Sequence, residues 1–167
     1  MSFSKRMSRI KPSGIRAVQK RIAGKSDMIS FAAGLPDPAL YPLEDLRKAA
    51  DTMLEKEGAT AFAYGLTKGY GPLLDYLTDR MNNREHVECT KENICILSGS
   101  QQGLGLAAMT FLDEGDVVIT ENPSYLGAIN AFRPYGAEFV GVDTDDDGIV
   151  IEDLERALEE NPKTKLI

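Results

Sequence analysis

Histidine and cysteine are scarce in this chain, and their scarcity argues against several kinds of site. The two cysteines, Cys89 and Cys95, lack metal-ligand spacing and are too few for a disulfide framework. Cys95 lies in an apolar run, which predicts a small buried side chain. The one histidine, His86, lies in a polar connection and nothing around it indicates a catalytic base. We therefore expect no metal site, and a reducing cytoplasm is the simplest setting.

Long apolar runs and an excess of positive charge are also missing. No apolar stretch approaches the roughly 20 residues that a membrane-spanning helix needs. The basic start is not followed by the apolar core of a secretory signal. The net charge of -7 argues against general nucleic-acid binding. The sequence thus predicts a protein with neither a membrane nor a nucleic acid as partner.

The positive charge that is present lies mostly in an amino-terminal arm. Residues 1–27 contain eight Lys or Arg and one acid, whereas the remaining residues contain 11 basic and 25 acidic groups. Ser13 can cap a helix that Gly24 ends. Three apolar residues fall on one face of this helix, namely Ile15, Val18 and Ile22. An exposed amphipathic helix is the favoured interpretation; a mitochondrial-type presequence and a segment for an anionic partner remain alternatives.

The next part of the chain reads as two helices separated by loops. Residues 28–42 start extended and become a Gly/Pro-rich loop, and residues 59–71 form a glycine-rich loop. A helix is predicted from Leu43 to Gly58 and another over 72–83. The residues expected to face inward are Leu43, Leu46, Ala50, Met53 and Leu54 in the first helix, and Leu73, Leu74, Leu77 and Met81 in the second.

After Glu92, short apolar runs alternate with helical segments. The predicted strands cover 94–97, 116–121, 137–143 and 164–167, and the predicted helices cover 101–112, 124–135 and 151–160. This alternation is typical of an α/β domain whose parallel sheet is covered on both faces. The sequence stops inside the last apolar run, which would leave an edge unpaired. We expect the amino-terminal part of a longer protein, with a short protein ending on an edge strand as the alternative.

The turn SGSQQG, residues 98–103, joins the first predicted strand to a helix. The first N–H groups of a helix lack intrahelical partners, so small residues there allow an anion to approach. The turn is neither a P-loop nor a G-x-G-x-x-G motif. Taken alone, it is either a phosphate or carboxylate cradle or a turn whose small residues only allow close packing.

A second candidate is the acidic segment from Asp143 to Leu154. Asp143, Asp145, Asp147 and Gly148 match positions 1, 3, 5 and 6 of a calcium-binding loop. Leu154 stands where the bidentate glutamate is needed, and a strand is predicted where a helix should precede the loop. We therefore predict an acidic turn that leads into a helix.

Four segments together resemble the class I/II aminotransferases, which are fold-type I pyridoxal-phosphate enzymes. In chain order they are ISFAAGLPDPALYP, AYGLTKGYGPLLDYL, ILSGSQQGLGLAAMTFLDEGDVVITENPSYLGAINAF and GVDTDDDGIVIEDLERAL. The resemblance runs from about Ile15 to the end and is strongest to the 2-aminoadipate and kynurenine aminotransferase branch. It implies an incomplete large domain, with three α/β/α layers and a mostly parallel sheet, over 41–167. An arm and substrate-pocket loop over 1–40 would precede it.

The resemblance also implies roles for individual residues. Gly99, Ser100 and Gln101 would bind the phosphate of pyridoxal 5′-phosphate, and Tyr125 would stack on its ring. Tyr64, with Tyr70 as a nearby rival, would reach the partner subunit's phosphate in a homodimer. Gly34 would line the pocket for the substrate carboxylate. For each residue, a purely structural role is the alternative.

The implied activity is transfer of an amino group from an amino acid to a 2-oxo acid in the cytoplasm. The lysine that bonds to the cofactor, the acid at its ring nitrogen and the usual carboxylate-binding arginine would all come from later in the family's chain. We therefore expect no catalytic residue in this segment, which alone would be inactive. The alternatives are a ligand-sensing domain of a transcription regulator and a non-catalytic α/β binding module.

Overall fold

The computed structural model describes residues 2–12, 14–25, 31 and 34–167. For Ile15 and Gln19 it describes the backbone only. The chain folds into two compact units. One unit comprises Met1–Lys11 together with Leu97–Ile167, and the other comprises Pro12–Ile96.

The first unit contains a parallel sheet of three strands. Its strands are β1 (Val117–Glu121), β2 (Glu138–Val142) and β5 (Thr164–Leu166), in the spatial order β2-β1-β5. Helix α6 (Leu126–Phe132) and a short 3₁₀ helix, Arg133–Tyr135, connect β1 to β2. Helix α7 (Ile151–Glu160) precedes β5, which pairs with the other side of β1. The predicted parallel sheet is confirmed.

The core lies on both faces of β1, because successive side chains of a strand point to opposite faces. Val118 packs with Ala108 of helix α5 (Ser100–Phe111), with Leu112 immediately after that helix, and with Phe132 of α6. On the other face, Ile119 and Val117 pack with Val142 and with Ala157 of α7. Ile119 and Val118 are almost completely buried. Helices therefore cover both faces of the sheet, as the α/β pattern predicted.

The acidic segment after β2 forms a small antiparallel hairpin. Its strands are β3 (Thr144–Asp145) and β4 (Gly148–Ile149). The Asp147 N–H donates to Asp145 Oδ1 over 2.9 Å, and Gly148 adopts a φ of +124°. Strand β2 precedes the segment where a calcium loop would need a helix. No cluster of metal-ligating side chains occurs in the described part of the chain.

The described residues of the amino-terminal arm form two helices, of which the sequence predicted one. Helix α2 (Gly14–Ile22) lies where a helix was expected; Ser13 and the side chain of Ile15 fall outside the described residues. Helix α1 (Lys5–Arg9) was missed. Its sequence, KRMSR, has no apolar periodicity, and its contacts are made to distant residues. Arg9 forms an ion pair with Glu114, and the Arg6 guanidinium lies 4.9 Å from the centre of the Tyr135 ring.

The second unit continues with two long helices, α3 (Leu43–Ala61) and α4 (Gly71–Asn83). Two predictions for α3 were wrong. The helix passes through Gly58 because glycine weakens a helix by only about 1 kcal/mol and does not break it. Moreover, no residue of α3 is buried, and Leu46 is 58% exposed. In α4, Leu74 is buried as predicted, whereas Leu73 is exposed. Short 3₁₀ helices span Pro38–Leu40 and Lys91–Asn93.

The predicted strand over 94–97 is not formed. The segment is extended at Ile94, but among the described residues no strand pairs with it. The Ile96 N–H instead donates to the Lys68 carbonyl of the glycine-rich loop over 2.8 Å. Cys95 is exposed, so the prediction of a buried thiol was wrong as well. An apolar run becomes a buried strand only where a neighbouring strand and a covering layer meet it.

No helix in the described ranges is both long and apolar enough to cross a bilayer. The predicted surface position of His86 is confirmed: the residue is exposed and adopts a φ of 55°.

Candidate functional site

The SGSQQG turn forms the start of α5. Gly99 immediately precedes the helix with a φ of +84°, a conformation that favours glycine. A Cβ placed there would meet no atom within 4 Å, so the space beside the turn is open. The Ser100 hydroxyl makes no hydrogen bond to any residue that the structure describes. This hydroxyl and the first N–H groups of a 12-residue helix form a set of donors suited to an anion.

The two neighbouring glutamines of this turn point to different partners. Gln102 Oε1 accepts a hydrogen bond from the Ser98 N–H over 2.7 Å, which closes the turn locally. Gln101 Nε2 donates to the Gly127 carbonyl oxygen over 3.2 Å. Gln101 therefore connects the first turn of α5 to the first turn of α6. The Gln101 side chain is engaged with protein, which leaves its backbone N–H as its group for an anion.

Tyr125 immediately precedes α6 and lies over the same glycine. Its side chain is 62% exposed, and its hydroxyl has no hydrogen-bond partner among the described residues. A Cβ on Gly127 would overlap the Tyr125 ring, so the ring lies directly against the glycine backbone. The SGSQQG turn and the Tyr125 ring thus meet at Gly127. Of the residues predicted for the site, the structure brings Gln101 and Tyr125 together through this glycine.

Tyr64 and Gly34 belong to the other unit. Tyr64 is fully exposed in the loop after α3. It lines an open groove of about 560 Å³, with Met53, Glu57 and Tyr70 among the other lining residues. Gly34 has a φ of +53°, and a Cβ there would meet nothing within 4 Å.

Tyr70, the alternative to Tyr64 for the role at the phosphate, already has a hydrogen-bond partner. Its hydroxyl donates a hydrogen bond to the Glu57 carboxylate. This hydrogen bond, together with desolvation and the negative charge of Glu57, raises the pKa of Tyr70. The Tyr64 hydroxyl has no such partner in the described part of the chain. Tyr64 is therefore the tyrosine of this loop that is available to a ligand.

Sequence reasoning missed what holds the glycine-rich loop. Lys68 Nζ donates to the Glu92 backbone carbonyl over 3.0 Å and also pairs with the Glu92 carboxylate. The hydrogen bond from Lys68 is the main cause that lowers the pKa of Glu92, and the Lys68 charge adds to it. The side chain of Ile96 packs closely against Gly69. The partners lie 24 residues apart, so no local pattern indicates the pair.

Comparison with known proteins identifies what this arrangement resembles. Residues 26–167 match the family model described as aminotransferase class I and II. The aromatic-amino-acid aminotransferase 1 of Thermococcus litoralis is 40% identical over 161 residues, which cover 96% of this chain and 38% of the relative. The 2-aminoadipate transaminase of Thermus thermophilus is 39% identical over 163 residues, which cover 97% of this chain and 39% of the relative. The chain thus spans about two fifths of the length of these relatives.

The fold comparison agrees. A crystal structure of Pyrococcus horikoshii kynurenine aminotransferase in complex with PMP matches this chain with a TM-score of 0.86 and 36% sequence identity. The match covers 98% of this chain and 41% of that one.

Proposed function

Because this chain belongs to the class I and II aminotransferase family, we propose that its protein transfers an amino group from an amino acid to a 2-oxo acid. The proposed cofactor is pyridoxal 5′-phosphate. Its ring, when bound, withdraws electrons from the substrate carbon. The observation that carries this proposal is the junction at Gly127, where the SGSQQG turn and an exposed aromatic ring meet.

The donor set of the SGSQQG turn fits a phosphate group. Ser100 would donate its hydroxyl and its backbone N–H, and Gln101 would donate its backbone N–H. Gly99 keeps the approach open because its Cβ position is empty space. The positive end of the α5 dipole favours a doubly charged anion at this position.

The exposed ring of Tyr125 fits the flat ring of the same cofactor. Aromatic rings stack in offset or edge-on arrangements, and such pairs contribute about 0.5–1.5 kcal/mol beyond their buried area. The ring is held against Gly127, so its orientation is set before a ligand arrives. Tyr125 would thus bind the cofactor's ring and exclude water from one of its faces.

Two further roles extend the proposal to the second unit. Tyr64, fully exposed and without a hydrogen-bond partner in the described residues, would reach the phosphate bound by a partner subunit of a homodimer. Gly34 would offer its backbone to the substrate carboxylate, and the open space at its Cβ position is compatible with that role.

The remaining chemistry would come from residues outside this chain. An arginine would clamp the substrate carboxylate, a lysine would move the proton, and an acid would hold the ring nitrogen protonated. We propose that the segment of 167 residues is inactive by itself and that the full-length enzyme works in the cytoplasm. Aromatic amino acids and 2-aminoadipate, on which the relatives are named to act, are the first substrates to test.

The decisive experiment measures binding of pyridoxamine 5′-phosphate (PMP) to the full-length protein by fluorescence titration. We expect Ser100→Ala to raise the dissociation constant by about 10- to 150-fold, because a hydrogen bond to a charged group contributes about 1.5–3 kcal/mol. Ser98→Ala, in the same turn, is the matched control and should bind like the wild type. A wild-type protein that binds no PMP would refute the proposal.

A further inference from the structure

We infer that Gln101 is a positioning residue whose side chain holds the Tyr125 ring platform through Gly127, rather than a ligand of the cofactor's phosphate. This inference rests on the proposed function and assigns a specific task to one side chain within it. The starting point is the hydrogen bond from Gln101 Nε2 to the Gly127 carbonyl over 3.2 Å. A carbonyl oxygen only accepts, so the amide nitrogen must face Gly127.

Gly127 can receive this bond and support the ring at the same time because it has no side chain. Its carbonyl accepts from Gln101, while the Tyr125 ring occupies the space where a Cβ would be. The Ala128 and Ile129 N–H groups both donate to the Tyr125 carbonyl, over 3.1 and 3.3 Å. The backbone of Tyr125 is therefore fixed by the first turn of α6, and that turn is fixed by Gln101.

The neighbouring glutamine shows that this task is specific to one position. Gln102 has the same side chain but closes the turn onto Ser98. Removing the Gln102 amide would disturb only the turn. Removing the Gln101 amide would free the first turn of α6, so the two glutamines form a matched pair for an experiment.

The test separates contact with the phosphate from support of the ring. Pyridoxamine has the ring of PMP but no phosphate, so a group that touches only the phosphate does not affect its binding. Both probes are titrated against the full-length protein carrying Gln101→Met, Gln102→Met or Ser100→Ala. The circular dichroism induced in the bound PMP absorption band is recorded as well, because it reports the orientation of the ring.

For Gln101→Met we expect the dissociation constants of PMP and pyridoxamine to rise by the same factor, about fivefold, as loss of one neutral hydrogen bond predicts. The induced dichroism should weaken at saturating PMP. Ser100→Ala should weaken PMP binding only, and Gln102→Met should leave the affinity for pyridoxamine unchanged. In a Tyr125→Ala background, Gln101→Met should have no further effect on pyridoxamine, because Gln101 acts through the ring.

Several results would overturn the inference while the proposed function stands. A Gln101→Met protein that loses affinity for PMP alone would place its side chain on the phosphate. If Gln101→Met kept its affinity for both probes, the hydrogen bond to Gly127 would not support the ring. If Gln102→Met lost as much affinity for pyridoxamine as Gln101→Met, the effect would not be specific to position 101. If the wild-type protein binds neither probe, the proposed function fails first, so the two failures are distinguishable.

Discussion

The Gln101 side-chain amide donates a hydrogen bond to the Gly127 carbonyl oxygen, although 26 residues separate them in the chain. The bond joins the starts of α5 and α6, the two helices that pack together on one face of the sheet. Since the Tyr125 ring lies against the same glycine, the SGSQQG turn and the Tyr125 ring form one connected structure. Position 127 therefore tolerates no side chain without moving the ring.

Gly127→Ala should displace the Tyr125 ring without unfolding the protein. The new Cβ would overlap the ring, yet alanine stabilises a helix relative to glycine by about 1 kcal/mol. We expect a melting temperature close to that of the wild type and a clear loss of PMP affinity in titration. Gly105→Ala in α5 is the control, because its Cβ would meet nothing within 4 Å. Wild-type PMP affinity in Gly127→Ala would contradict the role given to the ring.

Gly69→Ala should destabilise the glycine-rich loop. Gly69 has a φ of +121°, and its Cβ would overlap the side chain of Ile96. We expect a loss of about 1–3 kcal/mol in unfolding free energy, measured by chemical denaturation. Gly65→Ala in the same loop should be neutral or slightly stabilising, because Gly65 has open space and an ordinary φ. Equal stability of the two variants would mean that the loop does not depend on close packing at Gly69.

Ile119→Ala should be the most damaging change in the sheet. Ile119 is completely buried at the centre of β1, so the variant loses apolar contacts and creates a cavity. We expect a cost of about 2–5 kcal/mol in denaturant unfolding. Ile151→Ala makes the same chemical change at a side chain that is 58% exposed, and it should cost less than about 1 kcal/mol. Similar costs at both positions would contradict the layered core.

The ion pair between Arg9 and Glu114 should make the stability gained from α1 depend on pH. The hydrogen bond and charge of Arg9 lower the pKa of Glu114, so the pair stabilises the fold above the ordinary carboxyl pKa. This contribution is lost as the pH falls through the lowered pKa of Glu114. We expect the difference in unfolding free energy between wild type and Glu114→Gln to shrink over that acidic range. It should also shrink in high salt, because Glu114 is 65% exposed.

The control for this measurement is Glu88→Gln, which removes an exposed carboxylate that forms no ion pair with the described residues. Its stability difference from the wild type should stay flat over the same pH range. If the stability difference between wild type and Glu114→Gln were also independent of pH, the ion pair would not stabilise the docking of α1.

The two cysteines should differ in reactivity. Cys95 is exposed, whereas Cys89 is half-buried and its backbone is held by two hydrogen bonds to the Asn82 side chain, both of 2.9 Å. We expect Cys95 to react several-fold faster with a thiol reagent of the Ellman type, because access governs the attack. Cys95→Ser should remove the fast phase and Cys89→Ser the slow one. If Cys89→Ser removed the fast phase instead, the assignment of the two phases would be reversed.

Local sequence patterns were sufficient for the three-stranded sheet and the helices that cover it. Helix α7 begins and ends where its periodicity predicted, and strands β1, β2 and β5 fall within the predicted apolar runs. Strand β1 is readable because a strand buried on both faces is mostly apolar. Helix α7 is readable because an amphipathic helix repeats its apolar residues every three to four positions. The motif residues Ser100, Gln101 and Tyr125 were chosen from the resemblance to the aminotransferase family, and their roles stay predictions.

Two of the errors occurred where the outcome depends on distant parts of the chain. The apolar run at 94–97 bonds to the loop at Lys68 instead of joining the sheet, which leaves Cys95 exposed. Helix α1 has no apolar pattern and is held by Arg6 and Arg9 against residues more than 100 positions away.

The sequence by itself determined the βαβ order and the small-residue turn before α5, because propensity and periodicity act over a few neighbouring positions. The candidate residues followed from the resemblance of the sequence motifs to the family. Only the tertiary structure decided that Gln101 reaches Gly127 while Gln102 turns back to Ser98. The two glutamines are identical in chemistry. The partner of Gln102 lies in its own turn, whereas the packing of α6 against α5 places the Gly127 carbonyl within reach of Gln101. A hydrogen-bond partner that lies 26 residues away is set by the fold, not by the local chain.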